Sequence, residues 1–127
     1  MKPLALALAL CPAALPAHAA DWSKAKTFTV TTTEYRFSPK NLVFMRDTPY
    51  RLHIENHGKE MHEFTAPAFF KAIEMRDTAP LNPDKTEIEV SPGTAKDLYF
   101  AAAQPGKYKL RCSDHDWAGM TGSITVK

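Results

Sequence analysis

"GKYKLRCSDHDWAGMTGSITVK", residues 106–127, reads as a strand, a polar loop and a second strand. In its first seven residues Tyr108, Leu110 and Cys112 share one face while Lys107, Lys109 and Arg111 share the other. That is the period-two alternation of a half-buried strand. Three cations make their face the wet one, so Cys112 points inward at the last position of a core strand. "GSITVK" (122–127) is the second strand. The loop between them carries His115 three residues after the cysteine and Met120 five residues after that histidine.

Further segments of the same kind precede this hairpin. "TFTVTTT" (27–33), "NLVFM" (41–45), "YRLHIEN" (50–56), "HEFT" (62–65), "TEIEV" (86–90) and "KDLYFAA" (96–102) are short and rich in β-branched and aromatic residues. In 50–56, Tyr50, Leu52 and Ile54 oppose Arg51, His53 and Glu55, which puts His53 on the solvent face. "NHG", "LNPD", "SPG" and "QPG" separate the segments with turn chemistry. Many short alternating strands predict an all-β sandwich or barrel. Only "APAFFKAIEMRD" (66–77) lacks period two; it reads as a helical turn or an irregular loop.

The first residues set the compartment. "MKPLALALALCPAALPAHAADWSK" has one early cation, Lys2, a short apolar run from Leu4 to Leu10, and small residues at Ala17 and Ala19. This predicts a cleaved secretory signal peptide over 1–20 and a domain over 21–127. The apolar run is too short to remain as a membrane span. Pro3, Pro12 and Pro16 argue against a buried helix there. Leu10 stands before Cys11, where a lipoprotein signal needs a small residue. Removing Lys2 leaves 15 of the 16 Lys and Arg against 14 Asp and Glu, so nothing in the charge calls for nucleic acid.

Cleavage also leaves Cys112 as the one cysteine of the two in the chain. In an oxidising compartment an unpaired cysteine needs another role: intermolecular pairing, a reactive thiol or a metal ligand. A c-type haem needs two cysteines. Structural zinc prefers four sulfur or nitrogen donors, and a thioether is a poor one. A cysteine protease needs an orienting third group and a cleft. Copper fits better, because a thiolate, two imidazoles and a weak axial thioether make an electron-transfer copper site. Cys112, His115 and Met120 supply three of those four, and "NHGKEMHEF" (56–64) offers His57 and His62 for the remaining one.

These motifs resemble the cupredoxin family of plastocyanin, pseudoazurin and azurin. "CSDHDWAGM" (112–120) is similar to the Cys-x2-His-x4-Met loop of plastocyanin-like members, and "NHGKEMHEF" is similar to the segment bearing their first histidine. The resemblance covers about residues 27–127. It implies a Greek-key β-sandwich of about seven or eight strands holding one copper ion, Cu(I)/Cu(II), on His62, Cys112, His115 and Met120. His57 is then a surface residue. It further implies a monomeric periplasmic or otherwise exported electron carrier that is not an enzyme. Its partners would be redox proteins such as a cytochrome or a copper enzyme, with no nucleic acid and no integral membrane segment after cleavage. In the family the second histidine, here His115, shows an edge to solvent within an apolar patch. Trp117 would belong to such a patch, and Pro67, Phe69 and Phe70 too if exposed, although aromatic residues in a sandwich are more often core.

The chain departs from the family pattern in two places. Asp114 stands where proline is common, and Glu63 where asparagine is common. Asp114 and Asp116 flank His115 and should favour its protonated form. Glu63 and Ser113 either bridge the two ligand loops or, for Glu63, face water. Met45, Met61, Met75 and Met120 keep a second reading open, a periplasmic copper carrier or buffer. Met45 and Met75 read more simply as core filling, and Met61, next to His62 in an extended segment, points away from it. An oxidase or nitrite reductase would need a second copper centre, which His53 and His57 alone cannot build.

Overall fold

A computed structural model describes residues 19–127, and the expected signal peptide lies almost wholly outside the described residues. The strands are β1 (Lys26–Thr33), β2 (Arg36–Ser38), β3 (Asn41–Phe44), β4 (Tyr50–Asn56), β5 (His62–Thr65), β6 (Glu74–Met75), β7 (Glu87–Val90), β8 (Ala95–Ala101), β9 (Gly106–Arg111) and β10 (Thr121–Val126). One helix, α1 (Pro67–Ala72), lies between β5 and β6. The all-β prediction holds. Among the described residues there are ten strands where seven or eight were expected. The two that sequence reading missed, β2 and β6, are three and two residues long, too short for alternation to show.

The strands form two five-stranded sheets, ordered β2-β1-β4-β8-β6 and β3-β10-β9-β5-β7. Every connection from β2 to β9 crosses from one sheet to the other, as Greek-key chains do. β1 and β4 run parallel, as do β3 and β10. Alternation decides which residues meet between the sheets. β4 is buried at every second position from Tyr50, and β3 buries Leu42 and Phe44 while exposing Asn41 and Val43.

Phe44, Phe69 and Phe100 anchor the core, with ring centroids 4.9 Å apart for Phe44–Phe100 and 5.3 Å for Phe69–Phe100. Burying each such ring contributes about 1.5–3 kcal/mol. The same force explains α1. Its N-cap, Ala66, makes no side-chain capping bond, but Pro67 suits the first turn and Phe69 and Phe70 are both buried. The first half of the segment 66–77 is thus a helical turn held down by its aromatics, the second half carries β6, and the two phenylalanines take no part in a surface patch. Met75 packs against the core as expected, but Met45 does not fill it: it follows the edge strand β3 and is 53% exposed. Among the described residues no helix is long and apolar enough to cross a membrane.

Candidate metal centre

Cys112 follows directly on β9, fully buried, as the alternation of that strand requires. The loop from it to β10 closes on its own backbone. Cys112 N–H donates to Met120 O (3.0 Å), His115 N–H to Cys112 O (3.2 Å) and Gly119 N–H to Asp116 O (2.9 Å). Gly119 ends the short 3-10 turn Asp116–Ala118 with φ +83°, a left-handed conformation that glycine adopts without strain. These bonds carry His115 back over the cysteine and leave Met120 fully buried at the head of β10.

The first histidine comes from the other half of the sheet. β5 pairs with β7 through His62 and Val90, and with β9 through Thr65 and Arg111. The loop before it is built around two polar side chains. Buried Asn56 donates through Nδ2 to Glu60 O and Val90 O, both at 2.8 Å, and accepts from Gly58 N–H at 2.8 Å. Glu34, in the turn between β1 and β2, accepts from the N–H groups of Lys59 (2.6 Å) and Glu60 (2.9 Å) through Oε1. Those backbone bonds, Glu60's first, hold its carboxyl below the usual range. Gly58 leaves room for it, since a Cβ there would collide with the Glu34 carboxylate.

The ligand atoms of His62, Cys112 and His115 all lie within 4.8 Å of one another. Cys112 Sγ is 3.5 Å from His115 Nδ1. His62 Nε2 lies 3.3 Å from Glu34 Oε1, while its Nδ1 is buried with no hydrogen-bond partner. A buried imidazole nitrogen without a partner is costly unless something else satisfies it. The structure therefore brings together three of the four residues singled out by sequence. It buries Met120 next to them in the chain, and it separates off His57, which bonds Glu55 at 2.9 Å on the surface.

Glu63 does not face water. It is buried, its backbone N–H donates to Cys112 Sγ (3.4 Å), and its carboxyl Oε2 lies 3.0 Å from the same sulfur. Burial raises the Glu63 pKa, and the neighbouring Asp114 carboxylate adds to this. Burial and the Glu63 contact push the free Cys112 thiol up to about 12. A bound cation reverses that, since a coordinating thiol is deprotonated outright. Ser113 does not join the bridge; its hydroxyl donates to Glu87 Oε2 at 2.6 Å.

One expectation about His115 is narrowed and another corrected. Its side chain is only 14% exposed, because Nε2 meets Glu60 Oε2 at 3.1 Å and the Tyr35 ring packs on it at 4.7 Å. The carboxylate on this ring is Glu60, not Asp114 or Asp116: Asp116 pairs with Arg111 (3.1 Å), and Asp114 faces Glu63. The Tyr35 hydroxyl is hydrogen-bonded to Glu60, which raises its pKa. Trp117 is 77% exposed beside this cap, 6.0 Å from Tyr35, and Met61 is 41% exposed. Glu34, Tyr35, Asn56 and Glu60 escaped the sequence reading. Only the turn-forming "ENHG" hinted at Asn56, and nothing in spacing links residue 34 to residue 62.

Two crossing-linked sheets with a thiol and two imidazoles gathered at one end define a cupredoxin-like domain. The sequence model of the cupredoxin-like domain family matches residues 4–126, and the chain belongs to that family. Among solved structures it is similar to auracyanin B, at 19% identity and a TM-score of 0.61 over 85% of this chain and 93% of that one. Dithionite-reduced auracyanin from the photosynthetic bacterium Roseiflexus castenholzii shares 17% identity, with a TM-score of 0.60 over 81% of this chain and 98% of that one. The periplasmic domain of cytochrome oxidase subunit II from Bradyrhizobium japonicum shares 18%, with a TM-score of 0.58 over 80% and 83%. At these identities the likeness shows the fold. No match was found among curated proteins. The donor set itself suits copper, for which thiolate and imidazole are favoured ligands.

Proposed function

We propose that the protein is an exported single-copper protein that passes one electron at a time between redox partners. His62, Cys112 and His115 would hold the metal and Met120 would stand as the weak axial donor. The observation that carries this reading is the buried, partnerless Nδ1 of His62 beside a buried thiol and a second imidazole. When bound, copper supplies a single electron by alternating between Cu(I) and Cu(II). The chain holds the donors still. The Asn56 and Glu34 bonds fix the first loop, the bonds among Cys112, His115 and Met120 fix the second, and Glu63 ties one to the other through the sulfur. Donors that do not move between states keep the rearrangement on electron transfer small.

The leader-like N-terminus supports export, with a periplasmic location, and the exposed Trp117 beside the Tyr35 ring, with exposed Met61 between Glu60 and His62 in the chain, offers an apolar contact for a cytochrome or a copper enzyme. The domain would act as a monomer and catalyse no reaction of its own. The exposed thioether of Met61 favours the second reading, delivery of Cu(I) to another protein. Voltammetry of the copper-loaded protein with one equivalent of bicinchoninate separates the two. Electron transfer predicts a reversible one-electron wave with copper retained through repeated cycles. Prompt loss of Cu(I) to the chelator on the first reduction would favour delivery.

A further inference from the structure

Both imidazoles of the site carry a carboxylate on the nitrogen facing away from the sulfur or the interior. His62 Nε2 meets Glu34 Oε1 at 3.3 Å, and His115 Nε2 meets Glu60 Oε2 at 3.1 Å. The opposite nitrogens are the ones left for a metal: His62 Nδ1 is buried without a partner, and His115 Nδ1 lies 3.5 Å from Cys112 Sγ. An ionised carboxylate accepts and never donates, so the hydrogen bond to Glu34 puts the proton of His62 on Nε2 and its lone pair on Nδ1, and the Glu60 carboxylate at ion-pair distance from His115 Nε2 favours the same arrangement there. Neither acid lies in the Cys112–Met120 loop. Glu34 reaches in from the β1–β2 turn, and Glu60 reaches across to the other ligand loop.

We propose that Glu34 and Glu60 are positioning residues that lock both histidines in the Nε2–H tautomer and bias the centre toward the divalent ion. This rests on the copper reading above. The physical argument has two parts. A carboxylate hydrogen-bonded to the far side of a ligating imidazole raises its basicity and fixes its ring, and loss of such a partner typically costs about 10–100-fold in metal affinity. An anion near the metal also stabilises the 2+ state more than the 1+ state, because Coulomb attraction scales with charge. Two anions therefore lower the reduction potential. The surroundings are built to keep them there. Glu34 is held by the N–H groups of Lys59 and Glu60, Gly58 leaves its space empty, and Glu60 is bonded to Tyr35, whose ring covers His115.

A loop clamp with no effect on the metal is the competing account of Glu34, and two readouts separate them. The first uses the metal-free protein. Long-range nitrogen–proton NMR at pH 8 should find His62 and His115 protonated at Nε2. Glu34→Ala should release His62 to a mixture of tautomers, and Glu60→Ala should release His115. The second uses Glu34→Gln and Glu60→Gln, which keep an acceptor oxygen and remove the charge. Each should lower Cu(II) affinity, measured by chelator competition, about 10-fold or more, change Cu(I) affinity less, and so raise the reduction potential. Nδ1–H tautomers in the wild type, or an unchanged Cu(II)-to-Cu(I) affinity ratio in both glutamine variants, would overturn the proposal. The tautomer result needs no copper. A wild-type protein that failed to form a thiolate–copper bond would sink the copper reading while leaving this half of the proposal decided.

Discussion

Two histidines on neighbouring elements, His53 and His62, meet carboxylates in opposite ways. On the outer face of β4, His53 gives both ring nitrogens to acids, Nδ1 to Asp97 at 2.6 Å and Nε2 to Glu55 at 2.9 Å. Arg51 closes the far end of that ladder on Asp97 and His57 the near end on Glu55. Nothing is left over for a ligand. In β5, His62 gives one nitrogen to Glu34 and keeps the other buried and unpartnered. The difference shows that a nearby carboxylate does not make a histidine functional. The unpartnered nitrogen is what marks His62 as a candidate ligand, because only an outside partner can satisfy it.

The largest effect that can break this comparison is on the metal. His62→Ala should abolish thiolate–copper colour, whereas His53→Ala and His57→Ala should leave the visible spectrum nearly unchanged. Loss of colour in His57→Ala with retention in His62→Ala would mean that the free Nδ1 is not a ligand. A smaller effect is expected from Gly58→Ala. The new Cβ displaces the Glu34 carboxylate from its place against the loop. Copper affinity should fall several-fold by chelator competition while the position of the colour band holds. An unchanged affinity would show that the Glu34 contact does not help to hold His62.

How far the site could be read in advance follows the same division. Alternation placed Cys112 inside the sandwich, since three cations on the other face of β9 left no choice. The cysteine–histidine–methionine spacing picked out one loop, which its own backbone bonds then closed. What spacing could not show were contacts between distant segments. Glu34 is 28 residues from His62, and Glu60 and Tyr35 reach His115 from two separate turns. Asp114 and Asp116 looked like the acids on His115 because they are adjacent in sequence, yet Arg111 and Glu63 take them up. Glu63 was left between water and the ligand loops, and burial of all four residues of β5 decides for the loops.

The smallest effects concern pH in the metal-free protein. Glu34, Glu55 and Asp97 all have lowered pKa values. Their stabilisation is full above the unfolded values of 4.5 for the glutamates and 3.8 for Asp97, and is lost as pH falls through the folded ones. The thermal midpoint should therefore decline below about pH 4.5, and His53→Gln should flatten that decline by removing a partner of Glu55 and Asp97. Glu63 has the opposite sign. Its raised pKa means that its favourable contribution is present below 4.5 and disappears as pH rises through the folded value. Metal-free Glu63→Gln should thus gain on the wild type as pH rises toward neutrality. Parallel pH profiles for the two proteins would show that the buried carboxyl is not shifted.

The most direct test of the account is the visible absorption spectrum of the protein loaded with one equivalent of Cu(II), beside that of Cys112→Ser. A thiolate bound together with two imidazoles predicts an intense charge-transfer band in the wild type and none in the serine variant, even if the variant keeps some copper. A colourless wild-type Cu(II) complex, or equal colour in both proteins, would contradict it.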